Sequence, residues 1–515
     1  MEVTSREQKA STVAILLCSV FIISICGILY ELLISSIASY FQGSSILHFS
    51  IVIGLFLSFM GVGSYASKFM KHRLLDWFIR FEVALSLVGG CSTLILYMAF
   101  SLTPYFYLIA FFLIATLGFF IGIEIPMLTR ILRQYENLKD ALAKVLSFDY
   151  LGALFASVIF PLLLLPYLGL MKTAFAIGLL NLIVAVINTY LFQDRLANAK
   201  LLYFSEAVVG LILAAGFAFS FQLSTVFEQK LYRDPIMLSE QTPYQKLVLT
   251  HWNQDVRLYI NMNLQFSSVD EYRYHEALVH VPLATAQAKE KILILGGGDG
   301  LAAREVLRYP EVKSIEIVDL DPGITDLATT HPVFTKLNKN AMQDPRVTVH
   351  NQDAFKFVES SSELYDVVLI DLPDPNNASL GKLYSVAFYK LLQKRLAAGG
   401  VLVTQSTSPY YAPKAFWCIH QTLEAVFDTT VPYQVYVPSF GQWGFNMAIN
   451  PPHLPYSIDR IKTRIDYQPL RFLNADSFDG LFQFDEDSKE VPVETNRLIN
   501  QVLIQYYEKS WDKAR

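Results

Sequence analysis

Cysteine is scarce in this sequence: there are 4 among 515 residues, with Cys18, Cys26 and Cys91 inside apolar stretches and Cys418 by itself. Without a CxxC pair or an evenly spaced framework, a disulfide scaffold and a thiolate metal site are excluded. No histidine sits at a recognisable ligand spacing and no DxDxDG loop occurs, so no metal is expected. Positive charge is also short. Lys and Arg number 41 against 46 Asp and Glu, a net charge of -5, which leaves no basic field for nucleic acid. What the sequence has in excess is apolar residues, 53% of the chain at a mean hydropathy of +0.35, concentrated before about residue 225.

About seven stretches there are long enough to cross a bilayer, which takes roughly 20 residues: 13–37, 46–66, 81–100, 105–128, 145–166, 171–192 and 201–223. The first is too long for a cleaved leader, lacks a clear small-residue cleavage site and is followed by further spans, so an anchor is expected. Lys and Arg collect before the first stretch (Arg6, Lys9) and in alternate loops (Lys68 to Arg80, Arg130 to Lys144, Arg195 and Lys200). That asymmetry predicts a cytoplasmic N-terminus in a multi-pass protein of the cell (inner) membrane. Seven spans would put the rest of the chain outside, so its side stays open. Glu206 inside the last stretch leaves room for a re-entrant segment. Glu31, Glu124 and Asp149 lie within or at the edges of stretches. They face either a cationic ligand or merely a proton or a basic neighbour.

The second half is organised around Lys291 to Asp321, where the apolar run Ile292–Leu295 enters Gly296-Gly297-Gly298-Asp299-Gly300 and a later strand ends at Asp319. Strand, glycine turn, helix and strand-end acid suit a nucleoside-bearing ligand, since the glycines admit close approach and the acid can accept from ribose hydroxyls. The turn is not the GxGxxG fingerprint, and this piece alone leaves NAD enzymes and methyltransferases open. Upstream, 243–249 and 257–262 read as a small antiparallel sheet, followed by a helix over 267–280 bearing His275. Downstream, 347–349, 365–371 and 401–405 continue the strand–helix alternation of a doubly wound parallel sheet, whose ligands lie at the strands' carboxyl ends. Five carboxylates, Asp299, Asp319, Asp353, Asp371 and Asp374, fall there around one crevice, which points to a cationic ligand.

The expected organisation is therefore a transmembrane α-helical domain (1–225), a small antiparallel β-sheet domain (226–282), a Rossmann-like α/β domain (283–457) and a C-terminal helical extension (458–515). In the extension, Leu498, Ile499, Val502, Leu503 and Tyr506 at helical spacing predict an amphipathic helix used for packing or a dimer contact. A homodimer or higher homo-oligomer is compatible with it.

The ordered series PYQK (243–246), YHE with LVHVP (274–282), GGGDG (296–300), Asp319, QDA (352–354), DLPDP (371–375), GQWGF (441–445) and LRFL (470–473) resembles the polyamine aminopropyltransferases, the spermidine synthase family, across 228–485. LYELL (29–33), GLFLSFMGVGSYAS (54–67) and FDYLGALFASVIFPLLLLPYLGL (148–170) resemble, more loosely, the multi-spanning segment fused to some members. The resemblance implies an S-adenosylmethionine-type transferase sheet and transfer of an aminopropyl group from decarboxylated S-adenosylmethionine, a co-substrate, to an amine such as putrescine. It assigns Gln245, Asp319, Asp353, Ala354, Gly296 and Gly298 to the nucleoside, with Tyr274, His275, Asp299 and Asp374 to the polyamine and Asp371 to catalysis. No metal or redox cofactor is implied, because the sulfonium makes its own leaving group. The chain departs from the family's DSxDPxGP loop, reading Asp371-Leu372-Pro373-Asp374-Pro375-Asn376-Asn377, which leaves the acceptor amine open. A methyltransferase on the same kind of sheet, and a polyamine sensor or transporter without turnover, are the competing readings.

Overall fold

The computed structural model describes residues 2–42, 45–452, 457–465 and 469–514. It forms two compact units, Met1–Pro235 and Ile236–Arg515.

The first unit is helical among its described residues. Five of its helical segments are long and apolar enough to cross a membrane, or six if Leu74–Gly90 and Ser92–Leu102, bent by 42°, count as one. The sequence leads one to expect about seven. The difference lies in Leu138–Arg195, 58 residues in one segment, about 87 Å if it were straight. Gly169 is non-helical there (φ 68°, ψ 177°), and it divides the segment between the expected stretches 145–166 and 171–192. The final expected stretch also ends early, at Ala218, with a separate short helix at Ser220–Gln229. Small residues let these apolar cylinders touch: a Cβ on Gly122 would come within 2.1 Å of the Met60 carbonyl oxygen on the neighbouring helix.

Among the buried acids of this unit, Glu124 (1% exposed) faces Glu82 (0%), a residue the sequence reading passed over. The Asn181 amide stands beside them, donating to the Glu82 carbonyl and Ser86 Oγ at 3.2 Å each. Glu31 and Asp149 are only half-buried.

The second unit holds two sheets. In the smaller, β1 (Ile236–Gln241), β2 (Lys246–Trp252), β3 (Asp255–Ile260) and β4 (Asn263–Ser267) pair antiparallel in sequence order. The larger comprises β5 (Lys291–Gly296), β6 (Ser314–Asp319), β7 (Val347–Asn351), β8 (Tyr365–Asp371), β9 (Leu396–Gln405), β10 (Thr429–Val437) and β11 (Gly441–Ile449), in the order β10-β11-β9-β8-β5-β6-β7. β7 through β9 run parallel, and β10 and β11 close that edge antiparallel.

The period of two along each strand sorts its side chains onto the two faces. Ile292, Ile294, Val367 and Leu369 pack with Ala277–Leu283 of the helix Glu271–Thr285. Leu293, Leu295, Val368 and Ile370 pack with Phe357, Tyr389, Ile419 and Leu503. Each such side chain fully buried contributes roughly 1.5–3 kcal/mol, which makes the sheet a stiff platform for what stands at its strand ends. The helix Glu271–Thr285 thus belongs to the large sheet's core, so the α/β layer begins before residue 283. The C-terminal region is not one helical extension: among its described residues it is helical at Ile458–Ile465, Ala475–Phe478 and Val502–Ala514, with a 3-10 turn at Asp479–Phe482. Leu498 (46% exposed) and Ile499 (93%) precede the last helix and do not join its apolar face.

Candidate active site

Strand order reverses at β5: the chain proceeds to β6 and β7 on one side and returns to β8 on the other. The crevice above that point is where open α/β sheets bind ligands. Register brings Gly296 opposite Asp371 and Asp319 opposite Asn351, all at carboxyl ends. Gly296 has φ +81°, and a Cβ on it would lie 2.1 Å from the Asp371 carbonyl oxygen, so only glycine fits the turn there. The Gly298 N–H donates to Asp319 Oδ2 at 3.1 Å and the Asp321 N–H to Oδ1 at 3.0 Å. Burial, offset in part by those two donors, pushes the Asp319 carboxyl up to about 6. The β1–β2 turn reaches this corner, because Thr242 Oγ1 donates to Asp321 Oδ2 at 2.8 Å. That bond brings Gln245, whose N–H donates to the same Thr242 oxygen at 3.0 Å, to the Asp319 side.

On the other side of the glycine turn stand Asp299, Asp371 and Asp374. Tyr274, one helical turn into Glu271–Thr285, donates its hydroxyl to Asp371 Oδ1 at 2.6 Å. Burial raises the Asp371 carboxyl, against the opposing pull of His275 and the Tyr274 hydroxyl. Asp299 is pushed up to about 6, by burial first and then by Asp371, with His275 opposing. Asp374 is likewise pushed up to about 6 by burial, although Tyr507, Gln405 and Thr407 hydrogen-bond to it. Three carboxyls whose ionisation is resisted by burial, gathered in one crevice, make a site that gains by receiving cations.

Two expectations need correction. His275 does not present itself as an acceptor for an ammonium: Nδ1 lies 2.7 Å from Glu271 Oε2 and 2.9 Å from the Glu271 carbonyl oxygen. Burial opposes its charge, but Glu271, with Asp299 and Asp371, outweighs that and raises it to about 9. As an imidazolium it supplies positive charge that favours the ionised forms of Asp299 and Asp371. Glu271 in turn is gripped by Arg304 at 2.9 and 3.0 Å; against the cost of burial, His275 and Arg304 hold its carboxyl down at about 2. The second correction concerns Asp353, which does not join the acid group. Its Oδ1 caps the helix Ala354–Ser360 through the Lys356 N–H (3.1 Å), and Oδ2 accepts from Lys382 at 2.7 Å. Despite burial, Lys382 and the helix N–H groups lower its carboxyl. Ala354, 6% exposed, follows it at the first turn. The adjoining strand end stays close to Asp319, since the Gln352 N–H donates to the Asp319 carbonyl at 3.1 Å.

Several contributors carry no motif. Gln405, at the end of β9, donates to the Leu372 carbonyl (2.7 Å), the Tyr384 hydroxyl (2.8 Å) and Asp374 Oδ1 (3.3 Å). Thr407 Oγ1 donates to Asp374 Oδ2 at 3.4 Å, and Tyr507 of the last helix to the same oxygen at 3.0 Å. The sequence assigned that helix to packing or dimer contact, yet it delivers a hydroxyl to the site. Glu276 fixes the LRFL segment by accepting the backbone N–H groups of Arg471, Phe472 and Leu473 at 2.8, 2.9 and 2.9 Å. Among the described residues no group of three or more His, Cys, Asp or Glu is disposed to hold a metal ion.

A doubly wound sheet with a glycine turn, a strand-end acid beside it and a further acid group across the crevice makes a site suited to a nucleoside on one side and a cation on the other. The spermine/spermidine synthase domain model matches residues 271–459. The polyamine aminopropyltransferase of Leptospira interrogans is 45% identical over 496 residues, 96% of this chain and 98% of that protein. Polyamine aminopropyltransferase 2 of Ralstonia nicotianae is 44% identical over 505 residues, 97% of this chain and 98% of its own. A solved spermidine synthase in complex with the transition state analogue AdoDATO is 25% identical, with a TM-score of 0.45, covering 48% of this chain and 85% of its own. The chain belongs to the polyamine aminopropyltransferase family and is an aminopropyltransferase.

Proposed function

We propose that the chain transfers the aminopropyl group of decarboxylated S-adenosylmethionine to putrescine, giving spermidine and 5′-methylthioadenosine. The observation that carries this reading is Asp371, half-buried at the end of β8 and bonded to Tyr274 at 2.6 Å, in one crevice with Asp299 and Asp374. In this reading Asp319 holds the ribose, while Gln245, Gly296, Gly298, Asp353 and Ala354 border the nucleoside. Asp299 and Asp374 bind the ammonium groups of the diamine and Tyr274 lines the path between them. The attacking nitrogen gives its proton to Asp371. Its lone pair forms a C–N bond at the carbon beside the sulfonium as the C–S bond breaks, and that bond's electrons return to sulfur as neutral methylthioadenosine. The leaving group needs neither metal nor redox cofactor, and holding two cations in line in a negative crevice supplies much of the acceleration.

The test is methylthioadenosine release by the full-length protein, given decarboxylated S-adenosylmethionine and a panel of amines. Putrescine is expected to give the highest kcat/KM, and Asp371→Asn to lower kcat by roughly 10²–10⁴-fold. Preference for another amine would reject the acceptor assignment, and full activity of Asp371→Asn would reject the base. For the helical unit the reading is insertion into the cell membrane with the N-terminus inside, supported by apolar length and the Lys and Arg of alternate loops. Release of the chain from membranes by alkaline extraction would overturn it.

A further inference from the structure

The acid loop 371–377 lacks the closing Gly-Pro of the family pattern, and the segment that follows it, 381–386, is held by the C-terminal region. Asn496 Nδ2 donates to the carbonyls of Gly381 and Tyr384 at 3.0 Å each, and the Val386 N–H donates back to the Asn496 carbonyl at 3.1 Å. Val502 (7% exposed) and Leu503 (0%) seat the last helix in the core beneath that segment. One turn on, Tyr507 sets its hydroxyl 3.0 Å from Asp374 Oδ2.

Asp374 Oδ1 accepts from Gln405 at a long 3.3 Å, whereas Oδ2 takes Tyr507 as its shorter partner and Thr407 at 3.4 Å. A phenol that donates to one oxygen orients the carboxyl and leaves the other to receive an ammonium. It also touches Asp374, so if Asp374 holds the terminal ammonium of the natural acceptor, a longer amine would run into the Tyr507 ring.

We propose that Tyr507 is the positioning and length-selecting residue of the amine site, fixing Asp374 for one terminal ammonium and stopping the pocket behind it. This rests on the reading of Asp374 as an ammonium-binding group. The role belongs to a helix about 130 residues downstream of the acid it serves.

The experiment is steady-state kinetics of the full-length protein with decarboxylated S-adenosylmethionine and either putrescine or spermidine, for Tyr507→Phe, Tyr507→Ala and Asp374→Asn. Losing one hydrogen bond to a charged group is expected to raise the putrescine KM of Tyr507→Phe roughly tenfold, with a smaller fall in kcat and little change in the nucleoside KM. The acid limb of kcat/KM moves to higher pH in that variant, because Asp374 loses a donor that favours its ionised form. The other titratable groups about Asp374 are Tyr274, Tyr384 and Asp371, and all remain in place in the variant. Tyr507→Ala opens the pocket, so the ratio of spermidine to putrescine kcat/KM rises severalfold. Two results overturn the proposal: an unchanged putrescine KM and acid limb in Tyr507→Phe, or a loss shared equally by both substrates and by thermal stability. If Asp374→Asn leaves the amine KM unchanged, the ammonium reading of Asp374 fails and Tyr507's role with it. If Asp374→Asn raises the KM and Tyr507→Phe does not, Tyr507's role alone falls.

Discussion

Both units of the chain bury carboxyl groups, and one pair in the helical unit, Glu82 and Glu124, contrasts with the acids of the α/β unit. In the α/β unit Glu276 receives three backbone N–H groups, Glu271 is shared between Arg304 and His275, and Asp371 and Asp374 each take a tyrosine hydroxyl. In the helical unit Asp76 accepts from the Ala197 N–H at 3.0 Å and Glu206 from the Thr189 hydroxyl, whereas the donor beside the Glu82–Glu124 pair is the Asn181 amide. A buried charge without donors is far more costly than one with them. The α/β unit therefore surrounds its acids with donors that aim them, while burial still resists the ionisation of Asp299, Asp371 and Asp374.

Breaking the best-answered acid should do the most damage. Arg304→Met strands Glu271 at the base of the helix that carries Tyr274. The loss of one partner from a buried ion pair costs about 3–5 kcal/mol, expected to lower the thermal midpoint by on the order of 10 °C. Calorimetry checks this, and a drop no larger than that of an exposed Lys291→Met control would remove the distinction between the units.

The site acids should behave in the opposite sense. Asp374 in the folded chain titrates at about 6 against an ordinary value of 3.8, so the fold favours its protonated form. Its charge lowers stability as pH rises through that window, and stability returns as pH falls below it. Asp374→Asn should thus raise stability near neutrality by on the order of 1–3 kcal/mol, while the amine kcat/KM collapses. A denaturant titration at two pH values reads the first effect and turnover the second. For the native protein, kcat/KM for the amine should fall as pH drops through about 6, where Asp299 and Asp374 take up protons and lose their attraction for ammonium.

The smallest effect is expected in the helical unit. Glu82→Gln keeps the shape of a side chain whose neighbouring donor is the Asn181 amide and removes one carboxyl from the pair with Glu124, so the thermal midpoint of the full-length protein in detergent should hold or rise slightly. A large fall would mean that the carboxylate has a further partner, and the contrast between the two units would lose its basis.

The strands were legible because a fully buried parallel sheet needs unbroken apolar runs such as Ile292–Leu295 and Val367–Ile370 between turn residues. Gly296 and Asp371 were legible because backbone turn and strand-end position are local properties. The break at Gly169 was not, since an isolated glycine within apolar sequence reads the same whether the helix bends or continues. His275 was placed among the amine ligands because its neighbours in sequence do not include Arg304, the residue that fixes Glu271 and, through it, the imidazolium.

By itself the sequence determined the division into an apolar helical half and an α/β half, the order of strands along the chain, and which acids end those strands. Hydrophobic periodicity and the glycine turn act over a few residues, and both are written locally. Only the tertiary structure decided that Asp353 pairs with Lys382 rather than joining the acid group, that Glu82 meets Glu124, and that Tyr507 reaches Asp374. Those pairings join residues about 29, 42 and 133 positions apart. Their ionisation follows from burial and charge brought together by packing, which no local pattern encodes.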